Sequence, residues 1–574
     1  MDKQSISRRS FLGGAAAAGT AVVVGALAGC APSGQTSDPV STPTSTEEGG
    51  NLDRANFWLG SPPEIDEVSI TTTHNFDIVV VGGGLSGLVA LNVALEGGAT
   101  ACIIEKNKRT RYGGAALACI NSKAQLEAGF PEVDPTDFIR EEALKTNNMT
   151  DSIVFSAWAW NIGEAVDWLL EKTAAVGSIH SLNPEHALGN ADLSLEPFHS
   201  VPYASVGMCE ESWELYGHEC LKPAIDALVA SGEASGGEFF YNTSGIKLEQ
   251  GADNTVTGVI AKTRDGEYLR FTANKGVIVS TGDFAGDKNM VDAYLPTYVG
   301  QYLYDSSCYT MYMVGEDIED ASERLDTGDG HKMIVWAGGV MENNPCATLG
   351  WPVSSAPATD FMFAMTPFLG VDTLGCRFMN ESNASFTMAF NSFNRPSSQT
   401  RGNNTWKIID SNYIDQLLEM NEKIGAERFN PMMLGDPAIL QEPPQGMADT
   451  IEDLAVEIGA DPAILKATVD RYNELVNLGV DKDYGKAPHF LAPVVQPPFY
   501  AVRIQHMLCA TLGGVICTGN LEVMNKDGVI PGLYATGNVV GRRFGQNYEL
   551  SLAGISNGYA IAHGWVAAKH CLQR

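Results

Sequence analysis

Three glycines at G-x-G-x-x-G spacing, Gly82, Gly84 and Gly87, follow a short β-branched apolar run at 78–81 and open an apolar segment that reaches Glu96. A second β-branched run at 101–104 ends in Glu105, with Lys106 next to it. The pattern predicts a strand, a tight turn, a helix and a second strand with an acid at its far end. Each position has a chemical use. Gly82 permits the turn, Gly84 lets the backbone approach a pyrophosphate, and Gly87 lets helix and strand pack closely. Bare N–H groups at the helix start, beside Ser86, hold negative charge. Glu105, roughly 20 residues past the glycines, accepts hydrogen bonds from a ribose. An ordinary Gly-rich turn would leave Glu105 without a purpose, so the stretch is read as a dinucleotide cradle.

The elements that position this cradle recur later in the chain. Residues 245–282 alternate as strands, with a hairpin signal at Asp265-Gly266, and run into the turn Thr281-Gly282-Asp283. Thr327-Gly328-Asp329-Gly330 precedes an apolar helix, and the strand at 533–535 ends in the turn Gly537-Asn538. Residues 151–175 read as one helix with Trp158, Ile162, Ala165 and Leu169 on a core-facing side. Between about 345 and 505 the texture changes to Asn, Ser, Met, Phe and Pro, with a helical stretch near 449–478.

Composition bounds the function. The 574 residues are 44% hydrophobic, enough for a large core and more than one domain. With 37 basic against 69 acidic side chains the net charge is −32, which argues against a nucleic-acid partner. None of the 11 cysteines forms C-x-x-C or C-x-x-C-H, so neither a zinc ribbon nor a covalently held haem is signalled, and no metal is expected. Cys102 and Cys119 read as small core residues. Cys209 and Cys220 can pair outside the cytoplasm, which the sequence leaves open.

The first 30 residues read as an export segment. Ser7-Arg8-Arg9-Ser10-Phe11-Leu12 is similar to a twin-arginine signal, and an uncharged Ala/Gly-rich run follows it. Leu27-Ala28-Gly29-Cys30 resembles a lipobox, which implies a lipid anchor at Cys30 and residence on the outer face of the cytoplasmic membrane. Residues 31–72, rich in Ser, Thr, Pro and acid, read as a flexible linker.

Taken in order, VVVGGGLSG with Glu105, Gly113-Gly114, STGDFAGD, TGDG, CRFMNE at 376–381, TLGGV at 511–515 and GLYATGNVVG at 532–541 resemble the FAD-dependent fumarate reductase and 3-ketosteroid dehydrogenase superfamily. The resemblance covers nearly everything after residue 75. It implies an α/β fold: a Rossmann-type FAD-binding domain built from two segments, 73–344 and 506–574, with an inserted α+β capping domain at 345–505. FAD would be held by Gly82, Gly84, Ser86, Gly87, Glu105, Lys106, Gly113, Gly114, Ala115, Gly245, Thr281, Gly282, Asp283, Gly537, Asn538 and Ile555. With no haem or second flavin motif in the chain, electrons would come from a separate donor, a cytochrome or a membrane quinol chain.

The departures from that family concern substrate. Its dicarboxylate-clamping Arg is replaced by Tyr548 in Phe544-Gly545-Gln546-Asn547-Tyr548, and its clamping His by Ala510. No Arg falls between Arg401 and Arg428, where the family's acid is expected, and Tyr413 lies nearby. Fumarate would lose its charged partners, so it is rejected as substrate. Tyr548 resembles the ketosteroid-type tyrosine whose hydroxyl polarises a carbonyl oxygen. The implied reaction is reduction of a C=C bond conjugated to a carbonyl or carboxyl group. Tyr548 serves as polariser or proton donor, or else as a wall residue. Tyr413 is a second candidate acid, or a core tyrosine. Glu381 feeds protons or orients substrate, or else forms a structural pair with Arg377. Arg395 or Arg401 can meet a carboxylate from a cap loop, and one of Arg542 and Arg543 can face the cleft and bind an acid. Two other readings remain: a 1,2-desaturating dehydrogenase of ketosteroid type, and a flavin electron carrier without turnover.

Overall fold

A computed structural model describes residues 57–110, 116–130, 132–175, 181–183, 204–207, 221–295, 326–353, 363, 366–383, 405–425, 440, 445–545, 548 and 554–574. The twin-arginine and lipobox residues, Cys209, Cys220, Arg395, Arg401 and the site candidates Gly113, Gly114 and Ala115 lie outside them.

Strand β1 (Ile70–Val81), helix α1 (Leu85–Glu96) and strand β2 (Ala101–Ile104) form the expected unit, with β1 extending eight residues further back than the apolar run alone indicates. Strands β3 (Ala116–Cys119), β4 (Ser181–Asn183) and β5 (Ala204–Gly207) make a small antiparallel sheet. The stretch read as one helix is two, α2 (Ser152–Ala159) and α3 (Ile162–Ala175), because the chain turns at Trp160 and Asn161. Trp158, Ile162, Ala165 and Leu169 are still buried in the main core. Helix α4 (Lys222–Ala234) and strands β6 (Glu238–Phe240), β7 (Thr243–Gln250), β8 (Val256–Thr263) and β9 (Tyr268–Val279) follow, then helix α5 (Asp329–Trp336).

The cap contributes β10 (Thr348–Val353), β11 (Leu369–Val371), β12 (Thr405–Asp410), helix α6 (Tyr413–Ile424), β13 (Gly446–Ala448), helices α7 (Ile451–Ile458) and α8 (Pro462–Leu478), and β14 (Phe499–Thr511). Its sheet order is β10-β14-β12-β11, with β13 also on β14. Left-handed Gly459 ends α7, and Asp461 caps α8, accepting from the backbone N–H groups of Ala463 and Ile464. Two apolar clusters lie on the cap sheet, one around Tyr413, Leu417 and Phe490, the other around Leu454, Leu465 and Tyr472.

The chain then returns to the first sheet with β15 (Glu522–Asn525), β16 (Gly528–Ala535) and helix α9 (Ile555–Leu572). The sheet order is β15-β16-β9-β1-β2-β6, and β16 pairs in parallel with β9, so two distant segments complete one sheet. Register decides where a ligand can sit. Val81 faces Ile104 on one side and Val279 on the other, and Val279 faces Ala535. Four strands therefore end at one level, and the turns after them open into one crevice. Helix α9 packs across α1 with Gly564 at the crossing, where a Cβ would lie 2.4 Å from the Ser86 carbonyl oxygen. Ordered structure begins before residue 70: Trp58 is buried, with its ring against Tyr294.

Candidate active site: a nucleotide cradle beside a buried arginine

The first turn has the dimensions that its glycines predict. Gly82 has φ +106°, and a Cβ there would lie 2.4 Å from the Ser280 carbonyl oxygen. A Cβ on Gly87 would lie 2.1 Å from the Gly82 carbonyl oxygen, so any side chain would force helix and turn apart. A Cβ on Gly84 meets nothing within 4 Å: it points into open space at the start of α1, which no side chain caps. Glu105 is buried and accepts from the Gly83 N–H at 2.7 Å and the Asn107 N–H at 2.8 Å. Burial raises its pKa, against the pull of those two donors. Each carboxylate oxygen keeps a lone pair for a ribose hydroxyl. Lys106 reaches the TGDG turn, with its Nζ 3.3 Å from Thr327 Oγ1 and 3.5 Å from Asp329 Oδ2. Gly245 lies on β7 with room for no side chain, since a Cβ would sit 2.7 Å from Val81.

The other turns close on the same crevice. Gly282 has φ +81° and its hydrogen faces the Asp326 carboxylate. Buried Asp283 accepts from the Ala285 N–H at 2.7 Å, and Thr511, the last residue of β14, accepts from the Phe284 N–H at 3.0 Å. One end of the cap sheet is thereby tied to this turn. Gly537, at φ +62°, stands against Ser86, and Asn538 Oδ1 accepts from Ser556 Oγ at the start of α9, beside buried Ile555.

Four hydroxyl oxygens around these turns, on Ser86, Ser280, Thr281 and Thr536, are buried without a partner among the described residues. An unsatisfied buried polar group costs about 1–3 kcal/mol, so four in one crevice call for a polar ligand. An uncapped helix start, a buried carboxylate and a ring of hydroxyls suit a pyrophosphate, a ribose and a polyol chain. The residues present therefore fit FAD. Among the described residues, no group of three His, Cys, Asp or Glu side chains converges to hold a metal.

Beyond Asn538 the chain reaches Arg542, Arg543, Phe544 and Tyr548. Tyr548 is half-buried, with its ring 5.1 Å from that of Phe544. Ala510, on β14, is half-buried too. Arg542 is exposed, and its backbone N–H donates to Glu342 Oε2 at 2.9 Å. Glu342 Oε1 accepts from the Gly514 N–H at 2.9 Å, and burial pushes this carboxyl up to about 7. Arg543, one of the two arginines that the sequence offers as an acid-binding group, is fully buried. Its Nε donates to the Val540 carbonyl at 2.8 Å, while Nη1 and Nη2 have no partner among the described residues. Burial lowers its pKa to about 10. His331 and His563 are buried and kept neutral, at about 4 and about 3, first by desolvation and also by the Arg543 charge. Sequence reasoning missed Glu342, His331 and His563; the available signal was an arginine inside a Gly-rich apolar segment, which demands neighbours of its own.

Three cap candidates are placed elsewhere. Glu381 has no exposed surface, and Arg377 grips it through Nε at 2.9 Å and Nη2 at 2.6 Å. Arg377 Nη2 also holds Asp481 at 2.8 Å, and the guanidinium lies over the rings of Tyr472 and Tyr484. Lys486 lies 3.7 Å from Glu381, and Lys407 donates to the carbonyls of Thr366 and Phe368. Tyr413 packs in the cap core against Phe363 and Tyr500. Of the two readings of Glu381, this geometry matches the buried ion pair with Arg377, and Tyr413 lies in a cap core cluster.

The comparisons agree with this geometry. The family model for the FAD binding domain matches residues 77–555. Vinyl phenol reductase of Lactiplantibacillus plantarum is 24% identical, over 88% of this chain and 98% of its own. Digoxin reductase of Eggerthella lenta is 24% identical, over 94% and 92%. The cytochrome-type fumarate reductase of Shewanella frigidimarina is 25% identical, over 87% and 76%. Among solved structures, 3-ketosteroid-Δ4-(5α)-dehydrogenase from Rhodococcus jostii superposes with a TM-score of 0.65 at 20% identity, covering 90% of this chain and all of the other. The chain belongs to the FAD-binding domain family, within the superfamily of fumarate reductases and 3-ketosteroid dehydrogenases, and is an FAD-dependent oxidoreductase.

Proposed function

We propose that this protein reduces a carbon–carbon double bond conjugated to a carbonyl or carboxyl group, that its substrate is not fumarate, and that it works outside the cytoplasm as the terminal step of an electron-transfer chain. The observation that carries the reading is a half-exposed phenol, Tyr548, on the segment leaving the nucleotide cradle, with Tyr548 and half-buried Ala510 standing at the two positions where the family carries clamping cations. Relatives that reduce vinyl phenol, digoxin and fumarate support the direction of the reaction. FAD held by the glycine turns and Glu105 would, when reduced, supply hydride chemistry at this site. The Tyr548 hydroxyl donates to the carbonyl oxygen, where negative charge grows as the double bond is reduced. A proton from a general acid or from solvent water then completes the α-carbon. With Tyr548 and Ala510 in place of the family's clamping Arg and His, a dicarboxylate would forgo charge-assisted hydrogen bonds of about 1.5–3 kcal/mol each at those positions. The twin-arginine and lipobox segments support export and a lipid anchor at Cys30, and a cytochrome or a quinol-linked protein is the proposed donor.

Anaerobic assays with reduced viologen and a panel of enones, aryl enoates and fumarate test the reading. Oxidation of viologen by conjugated acceptors, with fumarate inert, is the expected result. Reduction of the bound flavin by saturated ketones alone would instead establish a desaturating dehydrogenase. Flavin reoxidised by no unsaturated acceptor would leave an electron carrier. A Cys30→Ser variant recovered in the soluble extracytoplasmic fraction, with wild type in the membrane fraction, is expected for the anchor.

A further inference from the structure

Arg543 poses a question that the cradle does not answer. It is fully buried, yet its two terminal nitrogens meet no acceptor among the described residues. A buried cation whose terminal nitrogens lack acceptors is costly to keep, and a neutral side chain of similar size would fold more easily there. Its surroundings say what it does reach. The guanidinium lies 5.2 Å from the Phe544 ring centre and 5.8 Å from that of Tyr559, whose hydroxyl donates to the Arg543 carbonyl. The Phe544 ring is also packed by Tyr548 at 5.1 Å. Arg543 and Tyr548 thus share one buried aromatic ring, which holds the guanidinium carbon within about 10 Å of the Tyr548 ring centre.

We propose that Arg543 is a positioning residue for Tyr548: its guanidinium, bonded to no carboxylate among the described residues, favours the phenolate form of Tyr548 and so makes that phenol the stronger proton donor. This rests on the reading of Tyr548 as the group that meets the substrate oxygen. The other groups that face Arg543 are Glu342, Asp283, Tyr559, His331 and His563. Both histidines stay neutral and add no charge at the pH where a phenol titrates. Glu342 and Asp283 oppose the guanidinium, and each is engaged by backbone N–H groups. The sign follows: removing the cation raises the pH at which Tyr548 ionises, and removing the Glu342 charge lowers it.

The test is a titration of ultraviolet phenolate absorbance on holoenzyme, taken as the difference between each protein and the same protein carrying Tyr548→Phe. Arg543→Gln should move the Tyr548 transition upward by about one pH unit, the size expected for a charge at this separation in a partly buried site. Arg543→Lys should restore it to within a few tenths of a unit. Glu342→Gln should move it in the opposite direction, and decides the matter if Arg543→Gln does not fold. Identical transitions in wild type and Arg543→Gln, a lysine variant that behaves like the glutamine variant, or no downward shift in Glu342→Gln would overturn the proposal. If Tyr548 is not in the mechanism, Tyr548→Phe keeps full turnover in the viologen assay while the titration still shifts, so the two failures are separable.

Discussion

Two glycines three residues apart should fail in different ways when each is given a methyl group. At Gly84 the added Cβ meets no protein atom within 4 Å, and the backbone there, φ −74° and ψ −179°, suits alanine. The apoprotein should therefore fold and melt as wild type does. The same methyl group occupies the space into which the uncapped start of α1 points, where a pyrophosphate must approach the backbone. Loss of one charge-assisted hydrogen bond costs about 1.5–3 kcal/mol, roughly 10- to 100-fold in the Kd for FAD. At Gly87 the Cβ would lie 2.1 Å from the Gly82 carbonyl oxygen, so helix and turn must separate whether or not FAD is bound. Overpacking of this kind costs about 1–3 kcal/mol of folding stability. Thermal melts of apoprotein with FAD titrations by fluorescence quenching give both quantities. Gly84→Ala should lose affinity at unchanged apoprotein Tm, and Gly87→Ala should lose both. A Gly84→Ala protein that binds FAD as tightly as wild type would refute the assignment of that space to the cofactor.

Tyr548→Phe should keep its FAD and lose about 100-fold in kcat toward conjugated carbonyl acceptors, the usual size of a general-acid contribution, in the viologen assay. Arg377→Met leaves Asp481 without its cation and Glu381 with only Lys486, 3.7 Å away, so it should cost about 3–5 kcal/mol in urea unfolding. Glu381→Gln should by contrast keep turnover per folded molecule, and a specific loss of kcat would restore a catalytic role to Glu381. Burial raises the Glu342 carboxyl from 4.5 to about 7, so the folded state holds a proton that the unfolded chain releases. Stability should therefore fall as pH rises from about 4.5 to 7, by up to about 3 kcal/mol from this group, and Glu342→Gln should flatten that decline in urea melts at several pH values. An unchanged slope in the variant would show that another group titrates.

What was legible in the chain was what is local. The turn at Gly82–Gly87 and the acid at Glu105 lie within one strand–helix–strand unit, so spacing alone specified their geometry, down to the absence of space at Gly87. The second segment was legible because Gly537-Asn538 repeats the strand-then-turn pattern, although its pairing of β16 with β9 joins residues far apart in sequence. The cap was not legible at the level of side chains. Arg377 and Glu381 are close in sequence, but Asp481, Lys486 and Tyr472 decide that their pair faces inward, and nothing near residue 381 announces them. The break between α2 and α3 was hidden because the apolar period carries on through Trp160 and Asn161. Arg543 was marked as unusual, yet its burial depends on α9 and the Glu342 region folding over it.

This cradle fits FAD, and on the proposed reading it passes electrons to a conjugated double bond beside Tyr548 and Ala510, which stand in place of the family's clamping Arg and His. Holoenzyme reduced anaerobically and mixed rapidly with single acceptors tests it most directly, through return of the visible flavin band. The band should return within one turnover for an aryl enoate or enone and should stay bleached with fumarate. A folded protein that takes up no FAD, or one reoxidised by fumarate as fast as by any enone, would contradict it.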